Sequence, residues 1–480
     1  MDQAPSWGVG SISSGGSTIV TANYGRFRRR IVTAVVVLVV LLVGGGIGLV
    51  ALGGDEQGGD PVAVPDARLP DLGPAQPVLA ALPGDAPVPD GDVLATRLTP
   101  LVTGAALGGG ATAQVVDVAS GDVLFEREAQ APITPASAAK LLTAVAALTA
   151  LDPSDTVETT VVSGAAPGEV VLVGGGDPTL SRTVPSATYP GAPTVADLAT
   201  QVTAAQPAGT PVTRIVVDTS LYSGPLTASG WGPADAPSSY AAPVTAAAVD
   251  GARVSPGSTA RSGQPGLDAG VALADALGAP GAAVVLGQAP PGARRLAAVQ
   301  SAPIARLVEQ TLSLSDNVLA EALARQVAIA RNEPVSFEGA AQAVTDALRE
   351  EGLDVTDVTL ADGSGLSPEN VVTAEVLTSI IRGAADGSLG DASALLAGLP
   401  VAGYDGTLAD RGDDDPATAP GAVRAKTGTL LGVNALVGTA VTAEGRLLAF
   451  AVVADGSTGS EAAAEGTLDQ FAAQLAACGC

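Results

Sequence analysis

The sequence predicts an α+β fold behind an N-terminal membrane helix, and three observations carry that reading. Two runs of period-two apolar alternation stand early in the folded region and three short strand-like runs stand at its end, with helical periodicity between them. A 24-residue uncharged stretch precedes them all. The chain is 480 residues long, more than one ordinary domain takes, so an appended or inserted unit is expected.

In chain order, residues 1–30 read as a cytoplasmic segment ending in the basic run Arg26 to Arg30. Residues 31–54 are long enough, at ~1.5 Å per residue, to cross a ~30 Å hydrocarbon core. Basic residues before the span and Asp55 and Glu56 after it put the N-terminus inside and the remainder outside the cell. The apolar run exceeds the ~7 to 15 residues of a cleaved signal's core, which favours an uncleaved single-pass anchor. Residues 55–90, rich in Pro, Gly, Ala and Asp, read as a stalk. The folded region begins near Val93, and residues 111–118 and 122–128 form a hairpin around Ala119-Ser120-Gly121. Thr134 and Pro135 suit the N-cap and first position of a helix that Asp152-Pro153 stops. Strands are expected at 156–163, 168–175 and 213–220, and helices at 303–314 and 318–329. Residues 423–429, 433–441 and 446–455 read as three successive antiparallel strands, and 461–477 as a closing helix.

Composition excludes much chemistry. The chain has no histidine, which removes Ser-His-Asp triads, histidine bases and His-containing metal sites. Its 2 cysteines, Cys478 and Cys480, sit at the extreme C-terminus, and their redox state is left open. No metal or cofactor is expected. A net charge of −26 repels nucleic acid. Of 23 basic residues only Lys140 and Lys426 are lysines, and lysine, unlike arginine, loses its proton at a workable pH.

Both lysines stand in chemically suggestive settings. Ser137 precedes Lys140 by three residues, which on a helix sets the hydroxyl beside the amine near the positive helix end. Lys426 opens Lys426-Thr427-Gly428-Thr429 on a strand, where alternation puts two threonine hydroxyls on one face and Gly428 permits close approach. Between them, Ser315-Asp316-Asn317 falls in a helix break, with a hydroxyl able to relay a proton and an amide able to hold a carbonyl. Gly174-Gly175-Gly176-Asp177 reads as a tight turn and Asp413-Asp414-Asp415 as a solvated loop.

Ordered Ser-x-x-Lys, Ser-x-Asn and Lys-Thr-Gly are the signature of penicillin-recognising serine enzymes. With 171–180, 217–225, 361–370 (ADGSGLSPEN) and 403–411 (GYDGTLADR), the chain resembles the D-alanyl-D-alanine carboxypeptidase/endopeptidase family of class C low-molecular-mass penicillin-binding proteins, peptidase family S13, over roughly residues 93–477. The resemblance implies a serine β-lactamase/DD-peptidase-like domain, a five-stranded antiparallel sheet flanked by helices, formed by residues 91–155 and 300–480. Residues 156–299 would be an inserted, mainly β domain. It implies Ser137 as acylated nucleophile, Lys140 as its base, Ser315 as proton relay with Lys426 as its electrostatic partner, and Asn317 as a substrate-amide contact. Thr427, Gly428 and Thr429 would bind the terminal carboxylate, and the N–H groups of Ser137 and Thr429 would form the oxyanion hole. The implied function is hydrolysis of D-Ala-D-Ala ends or D-Ala cross-links of peptidoglycan stem peptides, with β-lactams as covalent inhibitors. An anchored serine β-lactamase and a non-catalytic wall-binding scaffold are the alternatives.

Overall fold

A computed structural model of the chain describes residues 82–207, 209–411, 419–457 and 459–479. The expected cytoplasmic segment, membrane helix and most of the stalk lie outside the described residues, as do Asp413-Asp414-Asp415 and Cys480. Among the described residues no helix is long and apolar enough to cross a membrane.

The described fold opens with α1 (Gly91–Val102), capped by the Asp90 carboxylate, which accepts from the N–H groups of Asp92 and Val93. The hairpin β1 (Thr112–Asp117) and β2 (Val123–Arg127) follows, then α2 (Lys140–Ala150). Next come β3 (Glu158–Ser163), β4 (Glu169–Val173), α3 (Val195–Ala205), β5 (Arg214–Asp218), α4 (Pro265–Ala276), β6 (Ala283–Leu286) and β7 (Arg295–Gln300). Four helices, α5 (Ile304–Ser313), α6 (Asn317–Ala330), α7 (Phe337–Glu350) and α8 (Ala374–Asp386), lead to β8 (Val423–Leu430), β9 (Val433–Val441), β10 (Leu447–Asp455) and α9 (Glu461–Ala476).

The first and last strands meet in one antiparallel sheet of order β2-β1-β10-β9-β8, the five-stranded arrangement expected. Alternation along β10 explains why both faces are covered. Leu448, Phe450, Val452 and Ala454 pack with Leu94, Leu98, Leu468, Phe471 and Leu475 of α1 and α9. Ala449, Ala451 and Val453 face the opposite layer, with Leu141, Leu142 and Val145 of α2 and residues of α5 to α8. A strand buried on both sides reads as a continuous apolar run, which β10 does.

Residues 158–300 form a second sheet, of order β6-β5-β4-β3-β7. The expectation of a mainly β unit is corrected here. β4–β5 and β5–β6 are parallel pairs, and the parallel crossovers require α3 and α4, whose Leu198, Val202, Ala269 and Leu273 cover one face. The unit is mixed α and β.

Phe471 is fully buried, with its ring 6.1 Å from Phe450 and 6.3 Å from Phe125. Phe471→Ala is expected to lower stability by about 3–5 kcal/mol. Urea unfolding followed by circular dichroism checks this, and a loss under about 1 kcal/mol would mean that α9 is not a structural part of the core.

Candidate active site

Ser137 lies in a 3-10 turn, Ala136–Ala139, that runs directly into α2. The expected helix start at Thr134 and Pro135 is therefore displaced. Pro135 caps the 3-10 turn and Ala136 has φ 49°, a left-handed conformation outside the α-helical region. The pairing survives because residues three apart eclipse in a 3-10 turn, and Lys140 Nζ donates to Ser137 Oγ at 3.0 Å. Two glycines let other segments close on this turn. A Cβ at Gly365, where φ is +80°, would lie 1.9 Å from the Ala136 carbonyl oxygen, and one at Gly428 would lie 2.8 Å from that of Pro135.

Lys140 is fully buried. Besides Ser137 it donates to Asn317 Oδ1 and, at 2.6 Å, to the Ser364 carbonyl. That carbonyl belongs to the loop 361–370, which Asp362 organises by accepting from the N–H groups of Gly365 and Ser367, the Asn370 amide and Trp231 Nε1. Glu321 of α6 accepts from the Gly363 N–H at 3.1 Å and pairs with Arg325. Burial lowers the Lys140 ammonium to about 8, although Asp362, Asp316 and Glu321 pull the other way. Burial, then the charge of Asp362, pushes the Glu321 carboxyl up to about 7.

Ser315 occupies the break between α5 and α6 with φ 52°, another left-handed non-glycine position. Lys426 Nζ donates to Ser315 Oγ at 2.9 Å and to the Thr427 carbonyl at 2.7 Å. It too is fully buried, and burial first, then the cations Lys140 and Arg411, lower it well below the usual lysine range. Asn317 Nδ2 donates to the Tyr240 carbonyl at 3.2 Å. Ser137, Ser315, Asn317, Thr427 and Thr429 all line one cleft of about 820 Å³, so the three sequence motifs converge.

Sequence reasoning missed how that convergence is held. Asp316, fully buried, caps α6 through the N–H groups of Val318 and Leu319. It also accepts from Tyr189 OH at 2.7 Å, Arg261 Nη2 at 3.0 Å and Arg253 Nη2 at 3.2 Å. These partners lie 55 to 127 residues away in sequence, so no local pattern announces them. Asp362 and Ser364 stood inside a segment singled out above, but without a role. The expected tight turn at 174–177 is not formed: after β4 the Gly174 N–H donates to the Asp218 carbonyl and the Gly176 N–H to the Ala246 carbonyl, so the glycines pass closely between neighbouring segments; Cys478 is buried.

Burial alone would raise the Asp316 carboxyl, but Arg261, Arg253 and Tyr189 outweigh it and hold it well below the usual carboxylate range. Its contribution to stability is full above the ordinary value of 3.8 and is lost as pH falls through the depressed folded value. Asp316→Asn, which keeps a capping oxygen, is expected to cost about 3–5 kcal/mol at pH 7. Unfolding measured at pH 7 and pH 3 should show the gap to wild type narrowing in acid, whereas a gap independent of pH would contradict the charge pairing.

The profile of the D-Ala-D-Ala carboxypeptidase 3 (S13) family matches residues 94–266 and 257–476. The chain is 42% identical over 424 residues to a carboxypeptidase, DacB, of Mycolicibacterium smegmatis, covering 85% of this chain and 90% of that protein. It is also 42% identical over 380 residues to a carboxypeptidase of Mycobacterium tuberculosis, covering 76% and 80%. The crystal structure of penicillin binding protein 4 from Haemophilus influenzae is similar with a TM-score of 0.62 at 25% identity, over 81% of this chain and 98% of that one. Matched over residues 94–476, a range that contains both sheets, the chain belongs to the D-Ala-D-Ala carboxypeptidase 3 (S13) family of serine peptidases.

Proposed function

We propose that Ser137, activated by Lys140, is the nucleophile with which this serine D-Ala-D-Ala carboxypeptidase opens stem peptides of peptidoglycan, at D-Ala-D-Ala ends or D-Ala cross-links. One observation carries the reading. Two of the three neighbours of Lys140 Nζ, Asn317 Oδ1 and the Ser364 carbonyl, only accept hydrogen bonds. A neutral amine gives both its N–H groups to them, which turns its lone pair to Ser137 Oγ, 3.0 Å away. The base is thereby aimed before substrate arrives.

Ser137 Oγ attacks the carbonyl carbon of the penultimate D-Ala, and its proton passes to Lys140. The N–H groups of Ser137 and Thr429 hold the oxyanion. As the C–N bond breaks, the departing amine takes a proton from Ser315, which regains one from Lys140 and so leaves that amine neutral again, while the Lys426 ammonium, 2.9 Å away, stabilises the Ser315 oxygen during the relay. Water then hydrolyses the acyl-serine with Lys140 again as base. The second N–H of the Asn317 amide is left for a substrate carbonyl, and Thr427 and Thr429, with Gly428 between them, receive the terminal carboxylate. A β-lactam follows the same first step and stays bound, because its ring-opened amine cannot leave.

Residues 91–155 and 300–480 form the peptidase domain in this reading, and 156–299 its insertion. The uncharged run 31–54 behind Arg26 to Arg30 supports a single-pass anchor with the peptidase outside the cell membrane, where its polymeric substrate lies.

Intact mass after benzylpenicillin should show one adduct on wild type and none on Ser137→Ala. Acylation should accelerate as pH rises through about 8, the region where Lys140 gives up its proton. Lys140→Arg should abolish acylation, since a guanidinium stays protonated, and Lys426→Arg should retain part of it because a cation suffices there. An adduct on Ser137→Ala, or equal losses in the two lysine variants, would show the roles to be misassigned.

A further inference from the structure

The segment 403–411 belongs to the sequence resemblance, yet the reaction described above uses none of it. Its placement is well defined. The Ala402 N–H donates to the Val423 carbonyl at 3.0 Å and the Val401 N–H to Asp405 Oδ1 at 2.6 Å, which ties the start of the segment to β8, while Leu408 is buried in the core. At its end, Arg411 is held by Asp469, at 3.0 Å, and by Glu465, both on α9. Between these anchors Thr407 is exposed and lines the same cleft as Ser137, Ser315, Thr427 and Thr429.

Thr407 Oγ1 and Thr427 Oγ1 are 2.8 Å apart, so one hydroxyl donates to the other. Each hydroxyl has a single hydrogen, and the pair uses one of the two between themselves. One O–H is left outside the pair and, since both threonines line the cleft, it is available to a ligand there, polarised by the bond behind it. Beneath it lies Lys426, whose bonds run to a hydroxyl and a carbonyl, with no carboxylate among the described residues at ion-pairing distance. Arg411 cannot supply that missing anion's partner, since two carboxylates already occupy it. The end of the cleft therefore holds a threonine hydroxyl pair above a buried lysine amine that has no counter-ion among the described residues, an amine whose protonated form a bound anion would favour. Its complement is a ligand group that only accepts hydrogen bonds and carries negative charge.

We propose that Thr407, through its hydroxyl pair with Thr427, is a specificity-determining residue that selects substrates whose leaving residue ends in a free carboxylate over those ending in an amide. The inference rests on the reading that the Thr427 and Thr429 end of the cleft receives the leaving residue. A terminal amide brings N–H groups toward the same hydroxyl and no charge toward Lys426, so it gains little from the pair.

The test uses the full chain and two peptides, an N-acylated D-Ala-D-Ala and the same peptide with a C-terminal amide, with release of the last residue measured. Wild type should prefer the free acid. Thr407→Val should lose about ten-fold or more in kcat/KM on the free acid, chiefly through KM, consistent with loss of a charge-assisted hydrogen bond, and about two-fold or less on the amide. Thr407→Ser should restore the preference. The benzylpenicillin adduct counts folded sites in each variant, and Thr407→Ala replaces Thr407→Val if the latter forms none. Equal losses on both peptides, or an unchanged preference in Thr407→Val, would overturn the inference while leaving the hydrolytic reading intact. A wild type that cleaves neither peptide would overturn that reading, and this inference with it.

Discussion

The burial of the Lys140 amine against Ser137, Asn317 and the Ser364 carbonyl is the contact on which the rest of the structure depends. Each of the three comes from a different part of the chain: the turn leading into α2, the first residue of α6, and the loop 361–370. A buried amine is tolerated only when all of its bonds are made, so the three segments have to arrive together. The secondary supports follow from that requirement. Asp316 fixes the start of α6, Asp362 shapes the loop around its own carboxylate, and Glu321 joins the two through the Gly363 N–H. The left-handed Ala136 and Ser315 are the local cost of bending two helix ends so that their serines face one cleft.

The two lysines share burial but not surroundings. Around Lys140, three carboxylates, Asp362, Asp316 and Glu321, oppose the loss of its proton. Among the described residues Lys426 has no such counterweight and feels the cations Lys140 and Arg411 instead. In a chain with a net charge of −26, the described residues thus supply acidic neighbours to one lysine and none to the other. That asymmetry sets a lysine amine facing carboxylates beside the Ser137 hydroxyl and one facing cations beside the Ser315 hydroxyl, at 3.0 and 2.9 Å.

Much of this was legible in the sequence where the signal is local. The strands at 423–430, 433–441 and 447–455 follow from short β-type runs separated by turn residues, and the pairing of Ser137 with Lys140 follows from a spacing that a 3-10 turn and an α-helix both satisfy. The start of the helix was not legible, because a left-handed alanine at 136 has no compositional mark. Parallel pairing in the second sheet was also hidden, since β6 is only four residues long and its partner is set by a crossover rather than by a turn. The clamp on Asp316 is hidden for a related reason. Arg253, Arg261 and Tyr189 are unremarkable in their own neighbourhoods and acquire meaning only when residues far apart in sequence fold together.

Trp231 gives this arrangement an optical consequence. Its indole N–H is bonded to Asp362 at 2.7 Å, its ring stands edge-on to Phe337 at 5.5 Å, and the sequence contains just one other tryptophan, Trp7, in the far N-terminal segment. A chain lacking Trp7 would carry a single indole fluorophore, attached to the same carboxylate that shapes the loop beneath the Lys140 amine. Its emission is an intrinsic gauge of whether that loop shifts as the enzyme turns over, read without any label.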